Sequence, residues 1–127
     1  MWFSILALQA RTVNLEDIRD FALSLPAVSE ELPFGPDTLV FKVYGKIFML
    51  FSLDRLEQSV NLKCDPEKAI ELRDRYSEVV PGYHMNKKHW NTIFLKGNIT
   101  TKLIREWIQE SYDLVLAKVP KKDKDSI

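Results

Sequence analysis

A chain of 127 residues is the length of one ordinary domain and can bury about two-thirds of its unfolded surface without disulfides or metals. Its 46 % hydrophobic and 28 % charged content excludes a disordered chain and a membrane-embedded one. Eighteen basic and eighteen acidic residues cancel, so affinity for a polyanion must come from a local patch, while the lone Cys64 excludes an intramolecular disulfide and a four-cysteine zinc site.

The opening Met1 to Leu8 is apolar but lacks a basic leader and is too short to span a bilayer. Residues 1–13 therefore read as an N-terminal extension, and with the single cysteine a cytoplasmic, monomeric protein without membrane contact is expected. Asn14 is placed to cap a helix carrying Leu15, Ile18, Ala22 and Leu25 at helical spacing, with Glu16 and Asp17 against its N-terminal dipole and Pro26 ending it. A loop through Glu30, Glu31, Pro33 and Pro36 follows.

Thr38 to Tyr44 alternates as a strand, and a tight turn is expected at Gly45-Lys46. Ile47 to Phe51 is continuously apolar, which predicts a central strand buried on both faces. Ser59 to Cys64 alternates as a third strand. Asp65 and Pro66 then open a helix whose buried stripe is Ala69, Leu72 and Tyr76.

Trp90 to Lys96 alternates as a fourth strand ending at Gly97-Asn98. Thr100 caps a final helix with Ile104, Trp107, Ile108, Ser111, Tyr112 and Val115 on one face, stopped by Pro120. The order α-β-β-β-α-β-α predicts an α+β fold, an antiparallel sheet covered by helices, over a single domain at 14–120. Residues 121–127 read as a frayed polar tail.

Charge is unevenly spread. Asn14 to Val80 holds thirteen acids and eight bases, whereas Pro81 to Lys102 holds no acid and four lysines: Lys87, Lys88, Lys96 and Lys102. His84, His89, Tyr83 and Trp90 are interleaved with them. Lysines attract phosphates without regard to sequence, and an aromatic face or an amide can address a base, so this mixture suits a nucleic-acid surface. Against that stand ordinary roles: a solvated loop, a core tryptophan at Trp90, a turn asparagine at Asn86.

The run Pro81-Gly82-Tyr83-His84-Met85-Asn86-Lys87-Lys88-His89-Trp90-Asn91-Thr92-Ile93 closely resembles the signature of the MmcQ/YjbR family of small bacterial proteins. Leu25 to Glu31, Phe41 to Phe48, Leu62 to Pro66 and Glu110 to Val115 carry the resemblance further, over roughly residues 14 to 120. It implies a CyaY-like α/β sandwich described as a double-wing, DNA-binding module. The matching positions are His84, Asn86, Lys87, Lys88, His89 and Trp90.

The expected function is a non-enzymatic nucleic-acid-binding module with DNA as partner. Lys87, Lys88, Lys96 and Lys63 would neutralise phosphates, while His84, Asn86 and Trp90 shape the contact. The alternative is a protein-interaction module using the same aromatic, cationic surface. No cofactor or metal is expected, because no carboxylate or cysteine accompanies His84 and His89 in their segment. The CyaY-like resemblance raises iron at Glu16, Asp17 and Asp20, a spacing equally common on a solvated helix face. Catalysis is not expected, since nothing in the sequence sets Cys64 beside a histidine, and Glu30-Glu31 reads as an acidic turn rather than an acid/base pair.

Overall fold

In the computed structural model, which describes residues 13–82 and 85–125, the Asn14 carboxamide accepts a hydrogen bond from Asp17 N at 2.9 Å and starts helix α1, Leu15–Leu23. The chain then enters strand β1, Val28–Glu31, where a loop was expected. This strand has four residues and lies at the sheet edge against β2, Thr38–Val43, so its pairing comes from a neighbour and not from its own weak alternation.

The β2 hairpin into β3, Lys46–Ser52, turns on Tyr44 and Gly45, which take φ of 48° and 78°. Two consecutive positive φ values match the twist of a tight hairpin, and Lys46 already pairs with Val43, one residue earlier than the expected turn. Phe48 is skipped where the register shifts, so that Phe41 faces Met49 but Lys42 faces Ile47.

Strand β4, Ser59–Lys63, leads through Asp65 into helix α2, Pro66–Arg75. Two further strands follow: β5, Val79–Pro81, and β6, Trp90–Phe94. The sequence pattern showed only the second; β5 has three residues and ends on a proline, which an edge position tolerates. Thr100 caps helix α3, Thr101–Leu116, whose buried residues are the six expected, and after Pro120 a short helix α4, Lys121–Asp125, replaces the expected fray.

The six strands lie in the order β1-β2-β3-β4-β6-β5, every pair antiparallel. Helix α3 packs on β2, β3 and β4 and against α1, while α2 packs on β5. Phe41, Phe48, Phe51, Val60, Leu62, Ile93, Trp107, Ile108 and Tyr112 form the core beneath them.

Among the described residues no helix packs on the opposite face. Along β4, Val60 and Leu62 are buried while Ser59 and Asn61 are half-exposed; along β6, Ile93 is buried while Thr92 and Phe94 are half-exposed. Leu50 and Ile47 are half-exposed too, so β3 is not buried on both faces. Its continuous apolar run hides this, because apolar residues look alike on either side of a strand.

Candidate nucleic-acid interface

Asn86 begins a tight turn. Its Oδ1 accepts from Lys88 N at 3.0 Å, and its carbonyl accepts from His89 N at 3.1 Å and Trp90 N at 2.9 Å. An asparagine whose side chain bonds the backbone two residues on fixes the turn without help from distant contacts. The side chains of Asn86, Lys87 and Lys88 are exposed at its tip.

Two further elements brace this turn. His89, half-buried, accepts from Cys64 N at 2.7 Å through its carbonyl, continuing the β4–β6 pairing. Arg73 on α2 donates through Nε to Asn91 Oδ1 at 2.7 Å, while its Nη2 donates to the carbonyls of Lys87 and, at 3.4 Å, Trp90. Nothing in the local pattern singled out Arg73; it lies 14 residues from the turn it holds.

Trp90 is 8 % exposed and packs over Gly82, where a side chain would begin 3.0 Å from the tryptophan Cβ. Its role is to set the shape beneath the turn. His84 lies outside the described residues.

The remaining two lysines differ from each other. Lys96 is exposed, pairs with Glu57 and sits 5.5 Å from the Phe94 ring centre. Its segment is free of acids in sequence, yet the fold supplies one from the loop before β4. Lys63 is half-buried; burial pushes its ammonium pKa down, and the charges of Lys118 and Lys46 add to the effect. Among the described residues no carboxylate forms an ion pair with Lys46, Lys63 or Lys118.

Beside the turn lies a groove of about 480 Å³ across the sheet face opposite α3. Leu50, Asn61 and Thr92 form its floor, with Phe34, Phe94, Arg55 and Met85 around them. Thr92 Oγ1 donates to Asn61 Oδ1 at 2.5 Å, and Asn61 Nδ2 donates to Leu50 O at 3.4 Å. The sequence carried one sign of it, the half-polar alternation of Ser59 and Asn61.

The other sequence candidates fall apart in space. Glu30 is held by a two-point contact to Arg19, at 2.7 and 2.5 Å, and Glu31 pairs with Lys42 at 3.3 Å, so the adjacent glutamates serve different cations. Among the described residues no three histidine, cysteine or carboxylate side chains gather as metal ligands. Cys64 lies beside His89 through its backbone, but burial pushes its thiol pKa up, away from the reactive thiolate.

A family model described as YjbR matches residues 23–114. The Escherichia coli O157:H7 protein YbdF is 42 % identical over 112 residues, covering 88 % of this chain and 92 % of that protein. YjbR of Escherichia coli K12 is 24 % identical over 112 residues, covering 88 % and 95 %. The crystal structure of Deinococcus radiodurans DR2400, with a DUF419 domain, superposes with a TM-score of 0.83 at 35 % identity, covering 92 % of this chain and 88 % of that one. A Pseudomonas syringae crystal structure gives 0.71 at 28 % identity, covering 81 % and 99 %.

Proposed function

The chain belongs to the YjbR family, and from that premise and the surface described above we propose that it is a non-enzymatic nucleic-acid-binding module of the cytoplasm, with DNA as the first partner to test. The observation that carries the reading is the Asn86–Trp90 turn. It presents Lys87 and Lys88 at an exposed tip while Arg73, itself bonded to Asn91, holds its backbone from beneath.

Fixing the backbone lowers the ordering cost of a phosphate contact, and a bond from a charged donor to a phosphate is stronger than a neutral one. Lys63 is a second cationic candidate, its ammonium lowered by burial and by the charges of Lys118 and Lys46. Lys96 contributes less, because Glu57 already pairs with it. Lysine is a point charge without the planar fork that reads guanine, so binding through these residues is tolerant of sequence.

Fluorescence anisotropy with oligonucleotides at several salt concentrations tests the proposal. Each phosphate neutralised contributes about 0.9 to the logarithmic salt slope on duplex DNA and about 0.7 on a single strand. Lys87→Ala with Lys88→Ala should lower that slope by up to about 2 and weaken all sequences alike. An unchanged slope in the folded double variant rejects the assignment.

A second reading has its own observation. Leu32, Phe34, Leu53 and Leu56 are exposed apolar side chains on the loops flanking β2 and β4, a composition suited to a protein partner. Such an interface would lose little affinity as salt rises. The same titration separates the two readings.

A further inference from the structure

We infer that the sheet face opposite α3 is a seat for unpaired bases, so that the nucleic acid bound is single-stranded; this deepens the nucleic-acid reading and rests on it. The groove is defined by three properties: the Asn61–Thr92 pair in a mainly apolar lining, its aromatic walls and its charge.

The floor is prepared for hydrogen bonding. Thr92 and the Leu50 carbonyl hold the Asn61 carboxamide in one orientation. Those two bonds leave one amide N–H and one acceptor lone pair of Asn61 uncommitted among the described residues, and an amide presenting a donor and an acceptor together matches a base edge.

The walls carry two aromatic rings. Phe34 is 67 % exposed, and Phe94 is half-exposed on the same sheet face as Thr92. Bases stack on such rings whatever their identity, provided that they are unpaired. A duplex keeps its base faces stacked internally and presents only groove edges, which a shallow sheet face cannot enter.

Charge favours an anion. No Asp or Glu lines the groove, and Arg55 on its wall forms no ion pair among the described residues. Of the acids next to lining residues in the chain, Asp37 and Asp54 adjoin Thr38 and Arg55, while Glu57, two residues beyond Arg55, is engaged by Lys96. Met85, also on the wall, directly precedes the Asn86–Trp90 turn, so the groove and the lysine turn adjoin. A volume of about 480 Å³ is within the range of small-ligand sites and suits one or two bases rather than a longer stack.

The test measures anisotropy for four labelled probes with the intact chain: a single-stranded DNA, the matching RNA, the DNA duplex, and a single strand of abasic sites with the same number of phosphates. The expected result is that one or both base-bearing single strands bind about ten-fold or more tightly than the duplex and the abasic strand. Phe34→Ala with Arg55→Ala, both at exposed positions, should erase most of that preference and leave the melting temperature unchanged. If the duplex or the abasic strand binds as well as the base-bearing strands, or the double variant keeps the preference, the base seat is overturned. The phosphate-binding proposal still stands if Lys87→Ala with Lys88→Ala weakens binding in that case. Absence of binding to all four probes overturns both.

Discussion

Arg73 Nε on α2 and Asn91 Oδ1 on β6 lie 2.7 Å apart, and through this bond the helix grips the strand that begins under the lysine turn. Asn91 is 1 % exposed and donates through Nδ2 to Ala69 O at 3.4 Å, so both ends of its carboxamide are spent on α2. Hydrogen bonds from a charged donor contribute about 1.5 to 3 kcal/mol each when the partner would otherwise stay buried and unmet. Arg73→Ala should therefore destabilise the fold by about 2 to 3 kcal/mol, read as a lower urea midpoint. Arg73→Lys should recover only part of that, since one ammonium cannot span the fork's separate acceptors. A midpoint equal to the parent's would show that the turn holds itself.

A hydroxyl joins α3 to the sheet in an analogous way. Extending the Met49–Leu62 register would set Phe48 opposite Lys63, but Ser111 Oγ stands between them, accepting from Lys63 N at 2.9 Å and donating to Phe48 O at 2.6 Å. Ser111→Ala strands both backbone groups in a fully buried place and should cost about 1 to 3 kcal/mol. Denaturant melts of the variant give the number, and a loss well below 1 kcal/mol would mean that the strands close up and bond directly.

Trp107 is 6 % exposed and meets Tyr76 edge to face with ring centres 5.3 Å apart. Trp107→Ala should lower stability by about 3 to 5 kcal/mol, the range for deleting a large buried aromatic. The same melts decide it.

Gly97 and Glu78 form a pair sensitive to both shape and pH. Gly97 has φ of +60°, and a Cβ there would come within 2.0 Å of Glu78 Oε2. Gly97→Ala is thus strained twice and should cost more than the roughly 1 kcal/mol of a positive φ alone. The Asn98 N–H, donating to Glu78 Oε2 at 2.8 Å, holds the carboxyl below its ordinary value. A carboxyl whose pKa is lower folded than unfolded stabilises fully above the unfolded value, about 4.3, and loses that contribution as pH falls through the folded value. Melting temperature should therefore fall on acidification below about pH 4.3, and Glu78→Gln should make that fall shallower. Glu30, held low by its hydrogen bonds to Arg19, acts in the same direction and will leave some slope in the variant. A Glu78→Gln slope identical to the parent's would remove Glu78 from the account.

The elements that the sequence determined by itself are those whose signal is local. The caps Asn14, Asp65 and Thr100 each bond a backbone N–H three residues on, and the α3 stripe repeats at helical spacing, so both are written within a few consecutive residues. The Asn86 turn is legible for the same reason, as is the family signature that contains it. Tertiary structure alone decided the rest, because it depends on partners distant in the chain. Strands β1 and β5 are too short to announce themselves and exist by pairing with β2 and β6. Glu57 reaches Lys96 across 39 residues, and Arg73 reaches the lysine turn from a neighbouring helix. The groove belongs to this second class: alternation shows that Asn61 and Thr92 each face away from the core, but only the β4–β6 register sets one opposite the other on the face opposite α3.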